Sequence, residues 1–212
     1  MSSIIYLIRH AESEHNISKD FTQRDPPLTA TGLAQASALI ETFPDTASIA
    51  VVLTSPLTRT LQTTTTAFPQ VFSKDAGAGA QLIIDPDLQE RSDLSCDTGS
   101  RRVTLDKAFP GLDFGGLEDE WFVKEGLYAA DDIAVAQRAQ RFRDKLRDII
   151  TSLKTDRGEV DEGRRRNVVV VTHGVFMKFL AEDRAIDLPK AGWKAFRIGS
   201  GKDGGAVLVP LE

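Results

Sequence analysis

The sequence predicts an α/β fold: three layers, with a mostly parallel central sheet flanked by helices and a loop-rich lid segment. Two observations predict it. Ile4–Ile8, Ile49–Leu53 and Val168–Val171 are continuous apolar runs rich in β-branched residues, the pattern of strands buried on both faces. Between them lie segments with apolar residues at steps of three and four, the spacing of amphipathic helices. Buried strands alternating with helices give a parallel-sheet α/β architecture.

Each element has its own signal. After the first strand, Thr31 to Phe43 reads as a helix that turns Leu33, Ala36, Ile40 and Phe43 inward. The second strand leads into Ser55-Pro56, read as an N-cap and a proline at the first helical position, with the helix running to about Ala67. Leu82–Ile84 is a short strand stopped by Asp85-Pro86. Residues 85–130, broken by Gly99, Gly111, Gly115, Gly116 and Gly126, read as loops and short helices over the sheet. Asp131 to Leu153 is a long helix with Val135, Ala139, Phe142, Leu146, Ile149 and Leu153 on one stripe, and the charged stretch Lys154 to Arg166 is a solvated loop. The last elements are the strand Val168–Val171, a short helix from about Val175 to Ala181, and the strands Phe196–Ile198 and Ala206–Val209 as a hairpin.

With 212 residues, the chain is expected to form one domain, 1–212, with an insertion at about 85–130. Hydrophobic residues at 41% and charged residues at 27% exclude a disordered or collagen-like chain. A net charge of −5 argues against a nucleic-acid binder. No apolar run approaches a membrane span, and the start lacks a basic segment before its short apolar run, so neither membrane attachment nor secretion is expected. The single cysteine, Cys96, can form neither an intramolecular disulfide nor a zinc cluster, and it fits the cytoplasm. No metal or other cofactor is expected.

Two of the three histidines stand directly after the strongest strands, His10 after Ile4–Ile8 and His173 after Val168–Val171. Ligands of open α/β sheets bind at the carboxyl ends of strands, so parallel neighbours would place these histidines side by side there. A neutral imidazole is a nucleophile toward phosphorus, and arginine is the donor suited to a phosphoryl group's oxygens. Arg9 adjoins His10, and Arg59 stands in the first turn of the helix after the second strand. Gly174, after His173, opens a helix whose backbone N–H groups could face an anion.

Arg9-His10-Ala11-Glu12 resembles the Arg-His-Gly/Ala signature of the histidine phosphatase (phosphoglycerate mutase-like) superfamily. Asn16, Leu28-Thr29-Ala30-Thr31-Gly32, Ser55-Pro56-Leu57-Thr58-Arg59, Leu88-Gln89-Glu90 and Thr172-His173-Gly174 follow in the family's order. Cys96-Asp97-Thr98-Gly99-Ser100 resembles a fungal group of mutase-like proteins. The resemblance implies a phosphomonoester hydrolase working through a phosphohistidine on a small phosphorylated metabolite. His10 would be the nucleophile, Arg9, Arg59 and His173 the phosphate pocket, and Glu90 the proton donor and then the base for water. Asn16 would hold a phosphate oxygen or a substrate group.

Alternatives remain open at this stage. Glu90 is either that acid or an N-cap or partner of Arg91. His15 is a substrate contact or a satisfied packing residue, and Arg101-Arg102 grips a second anionic group or is solvated. Phe109, Phe114, Trp121, Phe122 and Tyr128 line a leaving-group pocket or form a small core beneath the long loop. A mutase-type phosphotransferase or a repurposed phosphate-binding scaffold would share the motifs, although the family's mutase Tyr-Gly is absent after Glu90-Arg91. Oligomeric state has no signature in the sequence.

Overall fold

A computed structural model describes residues 3–69, 79–155 and 165–211. Its sheet has six strands: β1 (Ile5–Arg9), β2 (Ile49–Thr54), β3 (Gln81–Ile84), β4 (Asn167–Thr172), β5 (Trp193–Ser200) and β6 (Ala206–Pro210), in the order β3-β2-β4-β1-β5-β6. The pairs β2–β3, β2–β4 and β1–β4 are parallel, whereas β1–β5 and β5–β6 are antiparallel. The late strands therefore form the expected hairpin, and it closes one edge of an otherwise parallel sheet.

The apolar runs sit at the centre because both faces are covered. Leu7, Leu53, Val168 and Val170 turn to one face, while Tyr6, Ile8, Val52, Val169 and Val171 turn to the other. This is the period-two alternation of a strand, with apolar residues on both sides. α5 (Asp132–Thr155) and α6 (Phe176–Leu180) cover the first face, and α2 (Ala30–Thr42) and α3 (Thr58–Ala67) pack together on the other. Burial of each large aliphatic side chain contributes about 1.5–3 kcal/mol, so this double core is the main source of stability.

Several boundaries and faces depart from the sequence reading. The buried face of α2 is Gly32, Ala36, Leu39 and Phe43, and Leu33 is exposed. Gly32 sets that face, because a Cβ there would stand 1.9 Å from the Glu12 carbonyl oxygen. In α5 it is Ile150 that completes the buried stripe, and Ile149 and Leu153 pack only at its edge. α3 begins at Thr58, so Ser55 and Pro56 are not its cap and first residue. Its first N–H is met from elsewhere, Thr58 N–H donating to Asp25 Oδ1 at 2.8 Å, while Thr60 N–H closes a local turn on the carbonyl of the N-cap Leu57 at 2.9 Å. Ser55 is thereby released for the site below.

A short helix, α1 (Glu14–Ser18), had no expectation attached to it. The 85–130 segment holds 3-10 turns at Pro86–Leu88, Ser95–Asp97 and Gly126–Tyr128 and the helix α4 (Arg102–Ala108). Phe114 and Trp121, with Phe109 and Phe122 against them, form a separate apolar cluster with Leu57, Leu61, Leu105 and Leu117. These four aromatics are the small core of that segment, and Tyr128 lies outside it. Lys154 belongs to α5, and residues 156–164 of the charged stretch lie outside the described residues.

Candidate active site

The four parallel strands end on the same side of the sheet, and hydrogen bonds carry the ladder one residue past each of three ends. His10 N–H donates to the Thr172 carbonyl at 2.9 Å, Ser55 N–H to the Val171 carbonyl at 3.1 Å and Asp85 N–H to the Thr54 carbonyl at 2.9 Å. Register pairs Arg9 with Thr172, so the next residues, His10 and His173, are neighbours. Their ring centroids are 5.2 Å apart.

The His10 ring has one defined tautomer. Nδ1 lies 2.7 Å from the Ala11 carbonyl oxygen, which can only accept, so Nδ1 carries the proton and Nε2 a lone pair. Burial, then the charges of Arg59 and Lys190, hold the ring well below the usual histidine range, so it is neutral. His173 is equally buried and lowered for the same first causes, burial and Arg59. Its Nε2 is 2.9 Å from Ser55 Oγ.

Arg59 is 1% exposed despite standing in the first turn of α3. Its Nη2 donates to Asp97 Oδ1 at 2.7 Å and its Nη1 to the Cys96 carbonyl at 2.7 Å. Arg9 donates through Nη1 to Asp187 Oδ1 at 2.9 Å and to the Leu188 carbonyl at 2.6 Å. Gly174 lies against its guanidinium, where a Cβ would come within 3.0 Å. Arg9 Nε, Arg59 Nε and His173 Nδ1 are buried without a hydrogen-bond partner among the described residues. A native interior leaves few such donors, and a cluster of them is what an anion would satisfy.

Glu90 both lines the pocket and caps α6. Its carboxylate accepts the N–H groups of Phe176 (2.8 Å) and Arg91 (2.9 Å) on Oε1 and of Val175 (3.1 Å) on Oε2. The capping alternative is thus realised, but for α6, and Arg91's guanidinium pairs with Asp132 instead. Those N–H groups, which the sequence reading offered to an anion after Gly174, are taken by Glu90. Arg138 on α5, fully buried, holds the Glu90 backbone from below, donating to the carbonyls of Asp87 and Gln89 at 2.7 and 2.6 Å.

Ser13, His15 and Asn16 form a closed ring of hydrogen bonds. Ser13 Oγ–H donates to Asn16 Oδ1 (3.0 Å), Asn16 Nδ2 donates to His15 Nε2 (2.9 Å), and His15 Nδ1 reaches Ser13 Oγ (3.2 Å). His15 is therefore a satisfied polar residue that also lines the pocket, and burial followed by the Arg59 charge lowers its pKa to about 4.

One cavity of about 350 Å³ is lined by Arg9, His10, His15, Asn16, Arg59, Glu90 and Gly174 among others, and His173, fully buried, stands beside His10 behind that lining. Arg101 and Arg102 are not brought to it. They line a separate cavity with Asp119, Glu120 and Phe122, and Arg102 is 3.9 Å from Asp106 on its own helix. Sequence reasoning missed Ser55 as the partner of His173, Asp97 as the partner of Arg59, and Lys190 on the pocket wall. Asp97 lay within a stretch used only to separate family branches. Lys190 had the turn signal Pro189-Lys190-Ala191-Gly192, which points to a turn but not to its place in the fold.

The model of the histidine phosphatase superfamily (branch 1) matches residues 5–202. The chain belongs to that superfamily. A protein of Schizosaccharomyces pombe (strain 972) named "Probable phosphatase" is 33% identical over 141 residues, which are 64% of this chain and 64% of that protein. The match thus spans just under two thirds of the relative's length. Among solved histidine phosphatase-like structures, a mycobacterial glucosyl-3-phosphoglycerate phosphatase in complex with VO3 superposes with a TM-score of 0.59 at 18% identity, covering 98% of this chain and 97% of that one. The α-ribazole phosphatase from Shigella flexneri does so with a TM-score of 0.59 at 21% identity, covering 98% and 95%. These likenesses establish the shared fold of the superfamily.

Proposed function

We propose that this histidine phosphatase-superfamily chain hydrolyses phosphomonoesters of small metabolites through a phosphohistidine at His10. One observation carries the reading: the Ala11 carbonyl holds the proton on Nδ1 and so leaves Nε2 as a lone pair in a pocket with the buried Arg59 and the half-buried Arg9. Nε2 attacks phosphorus, and the bond from phosphorus to the ester oxygen breaks. The positive charge that develops on the ring is stabilised by the same carbonyl. Arg9, Arg59 and His173 meet the phosphoryl oxygens, which is where charge must be held in such a transfer.

Glu90 hands a proton to the leaving oxygen. A carboxylate offers about four lone-pair sites, and three N–H groups occupy all but one, on Oε2. Oε2 is accordingly the oxygen that exchanges the proton. In the second step it takes a proton from water, water attacks phosphorus, and the bond from phosphorus to Nε2 breaks, releasing phosphate and neutral His10. The cavity volume of about 350 Å³ suits a small substrate, near the lower end of ligand pockets. No helix among the described residues is long and apolar enough to cross a membrane, and a cytoplasmic location is part of this reading.

The test is phosphate release from a panel of phosphomonoesters, 3-phosphoglycerate among them, with and without a chelator. The wild type is expected to release phosphate in both conditions, to carry an acid-labile phosphoryl group when quenched, and to lose both properties in His10→Ala. Release unchanged in His10→Ala would overturn the nucleophile. Formation of 2-phosphoglycerate with a bisphosphate primer, in place of release, would assign a mutase.

A further inference from the structure

We propose that Lys190 is a further phosphate-contacting residue of this pocket, a cation without an acidic partner on a turn tied to the backbone of Arg9 and His10. The proposal rests on reading the His10 pocket as a phosphomonoester site. Both arginines of that pocket are already matched by acids, Arg9 by Asp187 at 2.9 Å and Arg59 by Asp97 at 2.7 Å. Lys190 lines the same cavity, is half-buried, and has no hydrogen bond or ion pair among the described residues. It shares the cavity wall with Arg9, His10, Arg59 and Glu90, and its charge is among those that lower the pKa of His10 and His15.

The turn that carries it is built rather than incidental. Gly192 N–H donates to the Pro189 carbonyl at 2.9 Å, closing a turn with Lys190 and Ala191 as its central residues. Ala191 has φ +56°, a left-handed conformation that disfavours a residue with a Cβ and persists only where the surroundings impose it. The surroundings here are the site itself: Arg9 N–H donates to the Gly192 carbonyl at 3.0 Å and Ala191 N–H to the His10 carbonyl at 3.4 Å. The turn that positions Lys190 is thus anchored on the residues it would assist. Burial, then the neighbouring charges of Arg9 and Arg59, lower the ammonium to about 7, while Glu90 and Glu12 oppose them. A half-buried cation outweighed by neighbouring cations and without an ion pair of its own gains most from an arriving dianion.

The experiment is calorimetric titration of the wild type, Lys190→Met and Lys190→Arg with inorganic phosphate, alongside steady-state hydrolysis of a phosphomonoester. Lys190→Met is expected to weaken phosphate binding about tenfold or more, the worth of one charge-assisted hydrogen bond, and to raise KM with it. Lys190→Arg should keep most of the affinity. All three proteins should unfold cooperatively, since Lys190 makes no contact that the fold needs. Unchanged phosphate binding in Lys190→Met, equal loss in both variants, or no phosphate binding by the wild type would each overturn the proposal. Phosphate binding that depends on Lys190 in a protein that hydrolyses nothing would uphold it while overturning the phosphatase reading. Hydrolysis indifferent to Lys190 would do the reverse.

Discussion

Ser55 Oγ stands 2.9 Å from His173 Nε2, across the carboxyl ends of the neighbouring strands β2 and β4. Leu57 N–H approaches the Ser55 oxygen at 3.4 Å, and the hydroxyl can still either donate to Nε2 or accept from it. When it donates, the neutral ring carries its own proton on Nδ1, the buried nitrogen that has no partner among the described residues. In either case Ser55 fixes the orientation of the His173 ring.

Ser55→Ala is therefore expected to lower kcat/KM by about tenfold, the cost of leaving a buried nitrogen unpaired and its proton unfixed. Ser55→Thr, which keeps the hydroxyl, should recover most of the rate. Steady-state kinetics on both variants, with thermal midpoints as a check on folding, decide it. Equal losses in the two variants would argue that the site needs the volume of serine and not its hydroxyl.

Stability should fall on the acid side. Burial and then the Arg59 charge hold His10 and His173 well below 6.5, and the same causes hold His15 at about 4. Above pH 6.5 these histidines are neutral in both the folded and the unfolded chain and have no effect. Below it, the unfolded chain takes up protons that the folded chain refuses, so stability is lost as pH falls. The histidine share of the thermal midpoint is expected to be level above about pH 6.5 and to decline below it, with the part from His15 ending near pH 4, while Lys124 and Lys190, lowered by burial to about 7, add a separate rise from about pH 7 towards the ordinary lysine range. His15→Asn should flatten part of that decline. Because His10 is neutral throughout, it should add no inflection of its own to kcat/KM, and the groups that titrate near neutrality are Lys190 at about 7 and the substrate's phosphate at about 6, so Lys190→Arg should shift one limb of the profile and leave the other.

Arg59 and Asp97 should each depend on the other. The arginine side chain is 1% exposed and the aspartate 10%. Arg59→Met would leave the carboxylate hydrogen-bonded to the Ser92 hydroxyl, 2.6 Å away, but without its counter-charge, and should destabilise by about 3–5 kcal/mol. Asp97→Asn keeps an oxygen for Arg59 Nη2 but removes the charge beside the more deeply buried guanidinium, and should cost at least as much. Urea unfolding of the two variants measures both costs, and a loss below about 1 kcal/mol in either, the worth of an exposed ion pair, would contradict the pairing.

The legible parts of the fold share one property: their signal is local. The valine run 168–171 can satisfy itself only as a strand covered on both faces, and β4 is the strand at the middle of the sheet. The face of α2 was misread at Leu33 because the spacing allows two adjacent stripes. Only the approach of the Glu12 carbonyl to Gly32 selects between them. Ser55-Pro56 carries the residues of a helix start, yet Asp25, distant in sequence, caps α3 and moves the boundary to Thr58.

The site follows the same division. Arg9, His10, Arg59, Glu90 and His173 were readable because strand ends and ordered motifs mark them. Glu90's dual place, lining the pocket while capping α6, was readable only as competing alternatives, since Val175 and Phe176 lie far along the chain. Arg101 and Arg102 were misplaced because adjacent arginines carry no information about which cavity they border.

By itself the sequence determined the strands, the helices and the chemistry available at the strand ends, because hydrophobic period and residue type act over a few neighbours. The tertiary structure alone decided which nitrogen of His10 keeps its proton, that Ser55 serves His173, that Asp97 neutralises Arg59, and that Lys190 stands on the pocket wall without an ion pair among the described residues. Those are properties of directed hydrogen bonds and short-range charge between residues far apart in the chain, and they come into being only when the sheet brings its strand ends together.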